Sequence, residues 1–296
     1  IKEATEKRGL LNLRTTPDAL PTLLEKKNVD MLTSHKVFSL AEIRSRYEIT
    51  LDNYCKTVKI EALTMVDMAR KEILPAVEAY AKELSDAYAL INEVTFSPEQ
   101  TDLFILKGDA NNLKLLIKQR LTGTADSPAL MKGVYPKDDI IRMVHNADYR
   151  ELPEEFTKRL NALEQSFSGE IDPGRISTEI DRAYLEHCLN NAKGVSLEYF
   201  KSLADFTNIL TMLRLRNMGA GADKLKNSLM PEGYVSHRLL MQCFDGAEEG
   251  MARAAAGPAR ERMLKGLEEY GRSGRLTELE RQRDNYLISL FKGAKF

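Results

Sequence analysis

Residues 109–120, Asp109-Ala110-Asn111-Asn112-Leu113-Lys114-Leu115-Leu116-Ile117-Lys118-Gln119-Arg120, return as Asp205-Phe206-Thr207-Asn208-Ile209-Leu210-Thr211-Met212-Leu213-Arg214-Leu215-Arg216, an offset of 96 (208 − 112). Both stretches read D-x-x-N-φ-x-x-φ-φ-[KR]-x-R, with apolar positions at the three-and-four spacing of a helical face. At the same offset Gly123 matches Gly219, Phe104 matches Phe200, and Ala87-Tyr88 matches Ala183-Tyr184. The register runs without a gap from about 84 to 123. A fixed period of this kind is the mark of stacked supersecondary units, each too small to bury its own apolar face. Two copies therefore span about 84–180 and 180–276. Asp284-Asn285-Tyr286-Leu287, echoing Asp181-Arg182-Ala183-Tyr184-Leu185, opens a third that is cut off at Phe296.

The polar members of the motif are Asp109, Asn112, Lys118 and Arg120 in the first copy, and Asp205, Asn208, Arg214 and Arg216 in the second. An acid and an amide placed before two basic side chains can brace neighbouring helices through hydrogen bonds and ion pairs. An anion or nucleotide site would want a Gly-rich turn at a helix N-terminus, and none is present. The motif is thus read as a structural polar motif.

Upstream, residues 1–36 read as a connector, with Thr16-Pro17-Asp18 and Pro21 marking turns between brief helical pieces. Ser39-Leu40-Ala41-Glu42 is a capping box. Behind it Leu40, Ile43, Tyr47, Leu51, Tyr54 and Val58 form one apolar stripe. It continues through Met65, Ala69, Ile73, Val77, Tyr80, Leu84, Tyr88 and Ile91. Pro75 interrupts it and predicts a kink, because proline has no N–H to give the preceding turn. A helix from 39 to about 92 must lie along a partner or a bundle. Further helix starts are predicted at Ser97-Pro98-Glu99-Gln100, Leu152-Pro153-Glu154-Glu155, Asp172-Pro173, Ser196-Leu197-Glu198 and Ser236. Gly123, Gly219, Gly233 and Gly274 mark ends or turns. Period-two runs of β-branched residues are nearly absent. The fold class expected is all-α: a long kinked helix followed by tandem helical-bundle repeats.

Composition narrows the function. Lys plus Arg (43) and Asp plus Glu (44) leave a net charge of −1, which gives no general attraction to nucleic acid. The longest uncharged apolar runs fall well short of the roughly 20 residues that span a bilayer. Three scattered cysteines, Cys55, Cys188 and Cys243, read as reduced thiols of a cytoplasmic protein. The chain opens at Ile1 without an initiator Met, as a processed or truncated piece would.

Candidate chemistry is sparse. There is no P-loop, and Gly219-Ala220-Gly221 follows a helix and lacks a third glycine, so it reads as a C-cap and turn. His187-Cys188 is a tempting metal pair, but adjacent helical residues point roughly 100° apart and nothing completes a site. His35, His145 and His237 have no neighbouring nucleophile. Met65, Met68, Met212 and Met241 read as gap-fillers in helical cores, and Asp138-Asp139 as a complement to a helix N-terminus. No catalytic residue, cofactor or metal is expected.

Two family resemblances follow from the residues. Thr101-Asp102-Leu103-Phe104, Asn111-Asn112-Leu113-Lys114 through Gly123, Tyr149-Arg150-Glu151-Leu152-Pro153, Asp181-Arg182-Ala183-Tyr184 and Asp205-Phe206-Thr207-Asn208-Ile209 through Arg216 resemble the C subunit of the A/V-type ATPase (V-type ATPase), whose eukaryotic counterpart is the d subunit. That resemblance covers 83–296. It implies three similar helical units in a funnel and a non-catalytic rotor part of a proton- or sodium-translocating ATPase. Its partners would be the central-stalk subunits and the membrane rotor ring. The chain would be cytoplasmic and held at the membrane through those partners. Gly9-Leu10-Leu11-Asn12-Leu13, Thr16-Pro17-Asp18-Ala19-Leu20-Pro21, Ser45-Arg46-Tyr47-Glu48 and Ile60-Glu61-Ala62-Leu63-Thr64-Met65 through Pro75-Ala76 resemble the C-terminal end of type III glutamine synthetase, over 1–82. That family's ATP, metal and glutamate sites lie upstream of this segment, so no catalytic role carries over. The resemblances meet near Tyr80–Leu84, which implies a chimera. The alternative functions are a glutamine synthetase fragment acting in oligomer contacts, or a chimera without native activity. Self-association is expected at an apolar edge left after the second copy.

Overall fold

The computed structural model describes residues 15–94, 97–123, 130–167, 172–245 and 252–292, together with positions 5, 7, 9, 12 and 13; side chains of 81 and 91–94 are outside the description. Among the described residues the chain is helical, with no strand. It divides into two compact units, 1–83 and 84–296.

The first unit begins with α1 (Thr16–Ala19), a 3-10 turn (Leu20–Leu24) and α2 (Lys26–Ser34). Thr16-Pro17-Asp18 belongs to α1 rather than to a turn, and the Thr15 hydroxyl caps that helix by accepting from Asp18 N. Then comes α3 (Leu40–Met68). Its capping box is closed in both directions, with Ser39 N donating to Glu42 Oε2 at 2.7 Å and Glu42 N donating to Ser39 Oγ at 3.3 Å. The Glu42 carboxyl is held below its ordinary value by the backbone hydrogen bond from Ser39. Arg46 stacks 4.3 Å above the Phe38 ring and fixes the approach to the helix.

A π turn (Ala69–Ile73) follows, then α4 (Leu74–Val94). Pro75 cannot donate to the preceding turn. The helix answers with one wide turn, in which Leu74 N–H reaches the Ala69 carbonyl. The predicted apolar stripe is present, but only Ile43 of α3 is buried. Met65 and Met68, read as core fillers, are 70% and 48% exposed, because no other element of the first unit among the described residues covers this part of the helix. Ile91 and Leu10-Leu11 lie outside the described side chains.

The second unit runs α5 (Pro98–Thr122), α6 (Lys137–Asn146), α7 (Glu154–Ser166), α8 (Pro173–Asn191), α9 (Gly194–Asn217), α10 (Ala222–Lys226), α11 (His237–Asp245), α12 (Arg260–Ser273) and α13 (Thr277–Lys292). α5 and α9 carry buried residues on most of their faces, as central helices must. A first core gathers Leu106, Leu113, Ile140, Phe156, Ile180 and Phe200 with their neighbours; a second gathers Phe206, Met212, Leu225, Leu240, Met263 and Leu279. The N-terminal part of α9 belongs to the first core and the remainder to the second, so one helix ties the two together.

Most predicted boundaries hold, with two corrections. α9 begins at Gly194 behind Lys193, not at Ser196, because the positive φ of Gly194 (54°) lets the chain turn straight out of α8. Gln100 does not reach back to cap α5. Its amide instead clasps the α8–α9 connection, donating to Asn191 O at 3.1 Å and accepting from Lys193 N at 2.9 Å.

Candidate functional site

Asp109 and Asn112 stand one turn apart on α5 and face the segment that leads into α6. Asn112 pairs with Met131 as a backbone would: its Oδ1 accepts from Met131 N and its Nδ2 donates to Met131 O, both at 2.9 Å. Asp109 Oδ2 accepts from Val134 N at 2.6 Å. α9 repeats the arrangement. Asn208 Oδ1 accepts from Met230 N at 2.6 Å and its Nδ2 donates to Met230 O at 3.1 Å. Asp205 accepts from Tyr234 N at 2.8 Å and from Val235 N at 3.0 Å. Each D-x-x-N therefore clasps a loop to a central helix through the loop's own peptide groups.

Glycine makes the clasp possible. A Cβ on Gly133 would fall inside the Asp109 carboxyl, and one on Gly233 would fall on Lys201 O and the Asp205 carboxyl. The carboxylates are costly to hold there. Burial pushes both up to about 6, against the hydrogen bonds from Val134 and Tyr135 at Asp109, and from Tyr234, Val235 and Gly233 at Asp205. Unlike Oδ1 of Asp205, which accepts from Val235 N, Oδ1 of Asp109 lacks a partner of hydrogen-bond geometry among the described residues.

The basic members of the motif do not pair with these acids. Arg120 Nη1 donates to Val144 O at 2.5 Å near the end of α6, while Nη2 meets Glu164, which also accepts from Tyr149 Oη at 2.6 Å. Arg216 Nη1 reaches Cys243 O at 3.4 Å near the end of α11. In both copies the arginine thus satisfies a late carbonyl of the short helix that follows the clasped loop. Lys118 donates to Ser177 Oγ on α8 at 2.6 Å, and Arg214 to Glu280 on α13 at 2.5 Å. The eight motif residues lie on two helices and do not converge on one site.

The loop partners escaped the sequence reading. Met131 with Gly133-Val134-Tyr135 corresponds to Met230 with Gly233-Tyr234-Val235, at offsets of 99 and 100 rather than 96. The ungapped register stops at Gly123, before these segments.

A groove of about 360 Å³ opens beside the first clasp, lined by Glu99, Asp102, Val134, Tyr135, His187 and Asn190 among others. At its edge Glu155 accepts from His187 Nδ1 at 2.9 Å and from Asn190 Nδ2 at 2.8 Å. Burial opposes the Glu155 charge, but these bonds overcome it and hold the carboxyl below its ordinary value. Cys188 turns away from this network. It is fully buried against Leu103 O, and burial pushes its thiol up to about 12, which makes it a poor nucleophile. Among the described residues no group of His, Cys, Asp or Glu has the arrangement of a metal site. None of their helices is long and apolar enough to cross a membrane.

Comparison with known proteins gives two matches along the chain. Residues 1–92 match the family model of the glutamine synthetase C-terminal domain, and residues 66–296 match that of the ATP synthase (C/AC39) subunit. They overlap over 66–92, the stretch that holds the π turn and Pro75. A glutamine synthetase of Butyrivibrio fibrisolvens is 46% identical over 28% of this chain and 12% of its own length. The C subunit of the A-type ATP synthase from Desulfurococcus sp. (strain SY) is 29% identical over 74% of this chain and 63% of its own length. That of Pyrococcus horikoshii is 22% identical over 97% of this chain and 80% of its own. The chain thus spans about an eighth of the glutamine synthetase it matches, and the chimera expected from the residues stands.

Proposed function

We propose, because the chain belongs to the ATP synthase (C/AC39) subunit family, that it is a non-catalytic coupling subunit of a proton- or sodium-translocating ATPase. In this reading it joins the central stalk to the membrane rotor ring and sits on the membrane through those partners. The observation that carries it is the match over 66–296. The doubled clasp supports it: a part that passes torque must resist shear, and each clasp fastens a loop to a buried helix through peptide groups. The test is co-elution of the purified full chain with A-type central-stalk subunits and with the detergent-solubilised ring. Binding to both is expected; binding to neither overturns the reading.

A second reading is favoured by the match of residues 1–92 to the glutamine synthetase C-terminal domain. In it this segment supplies helical contacts between chains and no chemistry. Glutamine formation from glutamate, ammonia and ATP by the pure chain is then undetectable, and genuine turnover would refute the non-catalytic assignment.

A further inference from the structure

From Cys55 to Tyr80 every residue is exposed except Ala69, which is half-buried. A helix in a protein draws most of its stability from tertiary packing of its apolar face, and among the described residues nothing packs on this one. This one is also rich in apolar side chains: Val58 is 44% exposed, Ile73 56%, Val77 57% and Tyr80 66%. With Met65 and the alanines 62 and 69 they leave on the order of 700 Å² of apolar surface in water. That is more than a typical monomer's largest patch and close to the ~800 Å² each partner gives a standard interface.

The stripe has a regular pattern. Val58, Ala62, Met65, Ala69, Ile73, Val77 and Tyr80 are spaced 4, 3, 4, 4, 4 and 3. Three successive fours would carry the stripe away from a coiled-coil seam. The π turn at Ala69–Ile73 absorbs one residue and restores the alternation of threes and fours on a single face.

We propose that this segment pairs with the same segment of a second copy of the chain, antiparallel, about a two-fold axis midway between Ala69 and Ile73. In that register Ala69 of one copy meets Ile73 of the other, Met65 meets Val77, and Ala62 meets Tyr80. Each small side chain faces a large one, so the layers fill evenly. A parallel, in-register pair would instead set Ala62 on Ala62 and Tyr80 on Tyr80, leaving a void and a crowded layer. Charge does not oppose the approach: Lys56, Lys59, Arg70 and Lys71 balance Glu61, Asp67, Glu72 and Glu78.

The experiment uses the full chain, with Cys55→Ser as background because Cys55 is exposed. Sedimentation over a wide concentration range should show a monomer–dimer equilibrium, and Met65→Glu should raise its dissociation constant about 100-fold by burying a charge in the seam. Circular dichroism of that variant, at concentrations where both are monomers, should match the background chain. The variant Ala62→Cys/Tyr80→Cys should form a covalent dimer under mild oxidation. Those positions stand about 27 Å apart along one helix and bridge only between copies. Neither single variant should cross-link. A monomer at all concentrations overturns the proposal, as does a dimer indifferent to Met65→Glu. Self-cross-linking by Ala62→Cys alone overturns the antiparallel register.

Discussion

Asn208 occupies a position where one side chain replaces a strand of backbone. It supplies both a donor and an acceptor to Met230, which is itself buried. Asn208→Ala would strand that N–H and C=O without water, at a cost of about 2–3 kcal/mol measured by urea denaturation. Gly133→Ala and Gly233→Ala act from the opposite side of the clasps. The added methyl displaces a carboxyl or a carbonyl, so each should lose about 2–4 kcal/mol, with Gly257→Ala no guide because its φ of 70° adds strain of its own. The carboxylates predict a pH dependence. Asp109 and Asp205 titrate at about 6 in the folded chain against 3.8 in the unfolded one, so the folded state holds more protons between those values. Their contribution to stability is therefore greatest below about pH 4, declines as pH rises to about 6, and is level above that, by up to roughly 3 kcal/mol per group. Asp205→Asn should remove its share of that slope when unfolding free energies of variant and wild type are subtracted across pH 3.5–7. An identical slope in the two would show that this carboxyl titrates normally. The D-x-x-N spacing was plain in the sequence; the identity of its partners was not, since peptide N–H groups carry no residue signature.

At the scale of elements, caps and periodicity locate helices well because they act within one turn. Ser39, Pro98, Asp172 and Gly274 each do what their local chemistry requires. Errors arise where a side chain has a distant alternative. Gln100 leaves its own helix end for the α8–α9 connection, ninety-odd residues away in the chain. Likewise, an apolar stripe states that a helix wants a partner and not whether it has one. α5 and the stripe on α3 are both apolar, yet α5 is enclosed and α3 is largely bare. Amide exchange should reflect that difference. Protection in α5 and α9 should approach the global stability, whereas residues 55–68 should exchange faster and slow as protein concentration rises, through pairing of copies. Equal protection in α3 and α9 at high dilution would contradict this.

The whole molecule combines a unit with little core and a unit with two. Trypsin at low ratio should cut first at Lys56, Lys59, Arg70 or Lys71, all exposed, and leave a resistant product close to 84–296. Early cleavage within α5 or α9 would argue against the assignment of core. In the first core Phe104 and Phe200, equivalent by the repeat, lie 4.9 Å apart, with Tyr199 and Phe291 packed against Phe104 at 5.1 and 5.8 Å. Phe200 is fully buried, and Phe200→Ala should cost about 3–5 kcal/mol in a single cooperative loss of the unit, followed by calorimetry.

Much of this protein is written locally. Helical class, the capped start of α3, the repeated D-x-x-N motif and the two family resemblances all rest on residues a few positions apart, where spacing translates directly into geometry. Tertiary structure decided the rest. It chose loop backbone rather than arginine as the partner of each aspartate, because burial admits only groups that can reach. It met Pro75 with a π turn that realigns the stripe. It also left that stripe uncovered, since which surface meets which depends on the packing of distant segments and not on the pattern of any one of them.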